Sequence, residues 1–176
     1  MKKLLAILTL ALLLGIAPSS HAAGHEASVF ILHAIPGESI GADPALPVDV
    51  SLEGVCVLQG FTFGELAGPA MLPPGTYAVA ISPASATDPC GNAAILTADA
   101  VVEAGKAYVA VAHLTSGGDP TISIFEVDTD RPGPSDVRVI IHHLADAPAV
   151  DVSVRRPKPY KNATVIPDVE NGDQAE

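Results

Sequence analysis

VDVS at Val48–Ser51 recurs as VDVS at Val150–Ser153, each time after a β-rich run that carries a histidine, and this recurrence decides the reading of the fold. Working outward from it, VFILHAI (Val29–Ile35) lies over VRVIIHHL (Val137–Leu144), and VLQGFTFGELAG (Val57–Gly68) lies over VIPDVENGDQAE (Val165–Glu176). In the second pair Leu58 meets Ile166, Phe61 meets Val169, Gly64 meets Gly172 and Glu65 meets Asp173. Apolar residues, glycines and acids thus fall in register. A period of roughly a hundred residues is far longer than a solenoid repeat of about 20–50, so each copy reads as a unit with its own core. The expected organisation is a complete unit over 28–127, a linker over 128–136 (DTDRPGPSD) rich in proline and glycine, and an incomplete second copy over 137–176. A piece of about 40 residues is near the limit at which a lone domain offsets its chain entropy. The second copy is therefore expected to continue in the gene, or to dock through its sheet edges on the first unit or on another chain.

Short β-rich runs alternate with Gly and Pro punctuation, and no segment keeps a helical period over three turns. The spacing predicts eight strands: Ser28–Ala34, Val48–Leu52, Val55–Gln59, Ala67–Met71, Thr76–Ser82, Ala93–Val102, Lys106–Leu114 and Thr121–Val127. That density of strands and turns suits an all-β fold, an antiparallel β-sandwich of immunoglobulin-like or transthyretin-like type. Alternation turns Val48, Val50 and Leu52 toward the core and Asp49 and Ser51 away from it. The core is expected to be aliphatic, because the chain has no tryptophan.

Residues 1–22 read as an export signal, with Lys2 and Lys3 before an apolar run from Leu4 to Ala17 and a small-x-small site at Ser20-His21-Ala22. The run is shorter than the roughly 20 residues a spanning helix needs, so no membrane span is expected in the mature chain. Loss of the two lysines leaves seven basic residues against twenty acidic ones, a net charge of −13. An exported acidic protein has no positive patch with which to release counterions, which disfavours nucleic acid and anionic membranes as partners. The expected location is secreted, periplasmic or on the cell surface. Cys56 and Cys90 are the two cysteines; both lie in the first copy, and Thr164 stands where Cys56 would recur. They lack Cys-x-x-Cys spacing, so a structural disulfide is predicted.

HHLADAPAVDV (His142–Val152) is similar to the H-A-S-P-D-A-P-A-V-D-V signature of the bacterial and archaeal domain-of-unknown-function 4397 family, matching eight of eleven positions. LPPGTYAV (Leu72–Val79) resembles the L-P-A-G-T-Y segment of the same family. The resemblance implies an exported sandwich, often in tandem, with no assigned chemistry and no catalytic residues to carry over. The chain departs from the signature at His143, Leu144 and Ala145, and the first copy inserts PGESIGADPAL (Pro36–Leu46) in that loop.

Four candidate sites remain. Gly37-Glu38-Ser39-Ile40-Gly41 matches the nucleophile elbow of α/β-hydrolases in letters, but that elbow needs a strand before it and a helix after it, and ADPALP cannot begin a helix. His33 and His142 occupy equivalent positions ahead of Asp49 and Asp151, and two structural His–Asp pairs, His33 with Asp49 and His142 with Asp151, are expected on neighbouring strands. A transition-metal site that adds His113 or His143 is the sharper alternative, although the histidines lack close metal-ligand spacing. Asp128, Asp130 and Asp136 at the junction would suit calcium by ligand type, without an EF-hand loop. Asn162-Ala163-Thr164 matches a glycosylation sequon in letters alone.

No cofactor is otherwise expected. The favoured reading is a non-enzymatic interaction or structural module that meets a protein or glycan partner at the cell surface, with self-association through the second copy as a further outcome. The alternative is a hydrolytic or metal-binding protein that uses Ser39, His33 or His142.

Overall fold

The computed structural model describes residues 25–155 and 163–176. The signal segment and Asn162 of the sequon lie outside the described residues. All eight predicted strands form: β1 (Ala27–His33), β2 (Val48–Leu52), β3 (Val55–Phe61), β4 (Leu66–Leu72), β5 (Gly75–Pro83), β6 (Leu96–Val102), β7 (Ala107–Leu114) and β8 (Pro120–Val127). They build an all-β sandwich of two four-stranded sheets, ordered β4-β1-β7-β8 and β3-β2-β5-β6. The pairings are antiparallel with one exception. β1 runs parallel to β7, from Ser28 beside Ala107 to His33 beside Ala112. β1 and β2 belong to opposite sheets and do not form the hairpin that the sequence suggests; the Pro36–Leu46 loop carries the chain across the sandwich. A single 3₁₀ turn, Gly37–Ile40, shapes that crossover.

Val48, Val50, Phe61 and Ile81 form one buried cluster, and Ala27, Val29, Val102 and Tyr108 form another. Between them an apolar cavity of about 210 Å³ is lined from both sheets, with alanines such as Ala100, Ala110 and Ala112 in its walls. A core of aliphatic and small residues without tryptophan leaves this space unfilled.

The rest of the chain adds β9 (Ile141–His142), β10 (Val150–Arg155), β11 (Ala163–Val169) and β12 (Gln174–Ala175), as two separate two-stranded ladders, β9-β12 and β10-β11. This segment rests on β7 and β8 through side chains, not through a shared sheet edge. His142 packs its ring 4.4 Å from that of Phe125, Asn171 Nδ2 donates to the Leu114 carbonyl at 2.9 Å, and Gln174 Nε2 donates to the Glu126 carbonyl at 3.1 Å. Arg138 closes the junction by pairing with Asp128 at 2.6 Å and with Glu176. Among the described residues no helix is long and apolar enough to cross a membrane.

Candidate functional site

Strand alternation assigns Asp49 to the solvent side of β2, yet it is 1 % exposed. The segment after β5 folds back over it. Asp49 Oδ1 accepts the Gly60 N–H at 2.9 Å, and Oδ2 accepts the Ser85 N–H at 3.1 Å and the Cys90 N–H at 2.9 Å. Burial alone would raise the carboxyl's pKa, but the amides of Cys90, Gly60 and Ser85 together outweigh it and hold the group below its ordinary value. Cys90 is bonded to Cys56 of β3, with Cα atoms 5.7 Å apart, as the sequence predicts. One buried carboxylate and one disulfide therefore fix the same loop to the β2-β3 hairpin.

His33 is buried but does not meet Asp49. Its ring faces the interior between the sheets, whereas Asp49 lies under the loop on the far side of β2, so the expected His–Asp pair is corrected to two separate anchors. His33 Nε2 donates to the Leu46 carbonyl at 3.0 Å, and Nδ1 accepts the Ile35 N–H at 3.3 Å. Burial lowers its pKa, against the opposing pull of the Leu46 carbonyl and Glu65. The ring thus pins both ends of the Pro36–Leu46 insertion.

The later segment repeats these anchors, with a correction to the histidine. Gly64 N–H donates to the His33 carbonyl and His33 N–H to the Glu65 carbonyl; Gly172 N–H donates to the His143 carbonyl and His143 N–H to the Asp173 carbonyl. His143, not His142, is the counterpart of His33. His142 pairs with Gln174 as Leu32 pairs with Leu66. His143 Nε2 donates to the Pro148 carbonyl at 3.0 Å. Among the described residues no hydrogen bond joins His142 to Asp151, whose carboxylate accepts from Asp168, so the expected His142–Asp151 pair does not form either. Asp151 Oδ1 accepts the Asp168 N–H at 3.1 Å, as Asp49 Oδ1 accepts that of Gly60, and Asp168 and Gly60 share a positive φ of 52° and 61°. β10 also reproduces the bulge of β2: Val150 faces Val169 and Val152 faces Ile166, as Val48 faces Phe61 and Val50 faces Leu58.

The linker acids do not gather. Asp128 is taken by Arg138 and accepts the Asp130 N–H at 2.8 Å, and among the described residues no group of three His, Cys, Asp or Glu side chains is placed to hold a metal ion. Among the described residues neither the Asp128, Asp130 and Asp136 cluster nor the metal site built on the histidines is assembled, and Asp128 is paired with Arg138 instead. Ser39 is exposed in the 3₁₀ turn, with no helix after it, so the elbow geometry does not form.

Two juxtapositions have no signal in the linear sequence. His113 on β7 donates Nδ1–H to the Leu114 carbonyl at 2.9 Å and accepts the Ser123 hydroxyl of β8 at Nε2, 2.8 Å away. A hydroxyl on an imidazole is the contact that activates a nucleophile. Here His113 is 1 % exposed and a backbone carbonyl orients it, so the pair reads as a cross-strand lock. The second is a groove where the two segments meet, bordered by Ser39 and Phe63 on one side and His142, His143 and Asp146 on the other. No hydrogen bond links Ser39 to either histidine. His142 Nδ1 is buried with no hydrogen-bond partner among the described residues, and burial lowers the pKa of this ring. The ring packs against Phe125, 4.4 Å away.

No curated protein matches the chain. A family model does, over residues 27–153, and the match passes through the linker to cover the eight-stranded sandwich, β9 and most of β10. With the sandwich and the repeated backbone anchors, this match shows that the chain belongs to the family described as domain of unknown function DUF4397.

Proposed function

We propose that the chain is an exported, non-enzymatic β-sandwich module that works by binding a protein or glycan partner outside the cytoplasm, with residues 137–176 acting as an incomplete second copy of the unit at 28–127. The observation that carries this reading is how the buried ionisable groups are used. Asp49, His33, His113 and His143 each bond to backbone groups of the chain itself, and the same scheme is used in both segments. Side chains engaged in this way shape loops, which favours a binding module over an acid–base site. The acidic surface, the disulfide and the leader-like start fit life in an oxidising compartment.

The groove with Ser39, His142 and His143 favours one second reading, a weak hydrolase at the junction. A screen of ester and peptide substrates with the wild-type chain, Ser39→Ala and His142→Ala separates the two. The module reading expects background rates from all three proteins. Turnover by the wild type that either substitution abolishes would replace it with the hydrolase.

A further inference from the structure

The cavity between the two sheets, about 210 Å³ in volume, is walled by residues of all eight strands of the sandwich. Protein interiors pack as densely as organic crystals, and an empty space inside one costs stability in proportion to its volume. A space of this size calls for an occupant, and its walls restrict what that occupant is. Among the described residues that line it, His33 is the one polar side chain, and its Nε2 and Nδ1 are already engaged with the Leu46 carbonyl and the Ile35 N–H. A buried water needs about 2–4 polar partners, which these walls do not supply. A polypeptide segment threaded through the cavity, from this chain or another, would bury amides without acceptors. Hydrocarbon is the chemistry that fits.

The cavity also has a way in. β6 and β8 close on each other along one side of the sandwich, whereas β3 and β4, the edge strands on the other side, do not close to the same degree. Of the described residues in the walls, the exposed ones are Val57 on β3 and Gly68 and Ala70 on β4, so the opening lies between these two edges. We infer that the interior of the sandwich is a binding site for a small apolar ligand that enters between β3 and β4. A cavity of about 150 Å³ with leucine, isoleucine and phenylalanine walls stays dry and binds benzene. Scaled by volume, this one takes a hydrocarbon body of about eight carbon atoms, either a free molecule or the tail of an amphiphile whose polar head stays outside the opening. The site is separate from the partner-binding reading, and its failure would leave that reading untouched.

The probe is ethylbenzene, titrated into the full oxidised chain and followed by methyl chemical shifts and melting temperature. The expected result is saturable one-to-one binding that moves the methyl signals of Val50, Ile81, Ala112 and Ile124 and raises the melting temperature, with no such response to the larger pyrene. Ala112→Leu fills the cavity from the middle of β7; the carbons it adds displace about as many from the ligand, which should weaken binding by about tenfold or more. Ala70→Trp plugs the opening from an exposed position and should weaken binding comparably, and it decides the matter if Ala112→Leu does not fold. Val101→Ser, on the outer face of β6 at a position 59 % exposed, should leave binding unchanged. Displacement of ethylbenzene by octanoate assigns the site to the tail of an amphiphile, and failure of octanoate to compete assigns it to a free hydrocarbon. Methyl shifts that miss the lining residues, an equal response to pyrene, or an affinity unmoved by both Ala112→Leu and Ala70→Trp overturns the site.

Discussion

Asp49→Ala is the perturbation with the largest expected effect for the smallest change in volume. The carboxylate accepts three backbone N–H groups from three places in the sequence, Gly60, Ser85 and Cys90, all in a site where Asp49 is 1 % exposed. Hydrogen bonds to a charged group contribute about 1.5–3 kcal/mol each, and a buried amide left without an acceptor costs about 1–3 kcal/mol. These contributions are not additive, and water entering the space vacated by the carboxylate would recover part of them. The net expectation is a loss of about 3–5 kcal/mol. Asp151→Ala is an internal control, since its carboxylate occupies the equivalent place but is exposed and accepts one amide, from Asp168. That change should cost at most about 1 kcal/mol. Urea unfolding of the oxidised proteins at neutral pH reads both values. The Asp49 contribution also has a predictable pH dependence. Because its folded pKa lies below the ordinary 3.8, the stability is present above that pH and disappears as pH falls through the folded value, so wild type and Asp49→Ala should converge in acid. If Asp49→Ala falls within about 1 kcal/mol of Asp151→Ala at neutral pH, the three-amide account of this loop is wrong.

Reduction of Cys56–Cys90, or Cys56→Ser with Cys90→Ser, should lower stability by about 3–4 kcal/mol, the chain-entropy value for a sequence separation of 34, measured by urea unfolding with and without reductant. His33 and His142 have folded pKa values below the ordinary 6.5, so the unfolded state takes up protons first and thermal stability should decline as pH falls below about that value. His142→Phe keeps a ring against Phe125 and removes the orphaned Nδ1; it should be neutral or stabilising by up to about 1 kcal/mol and should flatten that decline, and a clear loss at neutral pH would contradict the packing described. Gly37→Ala would place its Cβ 1.6 Å from the Asp43 carbonyl oxygen, so the 3₁₀ turn must open at a cost of about 1–3 kcal/mol, visible as a lower melting temperature.

The strands were legible because each carries its own period-two pattern and its own turn residues, and Val48–Leu52 and Val55–Phe61 can be located from their letters. Their partners were not. Nothing in Ala27–His33 says that its neighbour is Ala107–Leu114, or that the pairing is parallel, because that choice is made by packing across the whole unit. Asp49 was misplaced for a related reason: alternation along β2 sends it outward, and a loop from beyond β5 then buries it. The choice between His142 and His143 could have been made from the sequence. Val139, Ile141 and His143 keep the parity of Val29, Ile31 and His33, and a strand slip of one residue would turn every side chain to the other face. The contact of His113 with Ser123 and the groove between the segments depend on cross-strand register and docking, which leave no mark in a linear pattern.

The parallel pairing of β1 with β7 bears on the order in which this protein is assembled. Ser28 waits for Ala107, a partner 79 positions later, so β1, the first strand of the sandwich to be synthesised, lacks its second neighbour until the seventh is made. Until β7 is available it can be matched on its β4 side only, and its other edge, VFIL at Val29–Leu32, stays bare. Chains released before Leu114 should therefore be sticky intermediates that need chaperoning, whereas chains released after Val127 carry every strand of both four-stranded sheets.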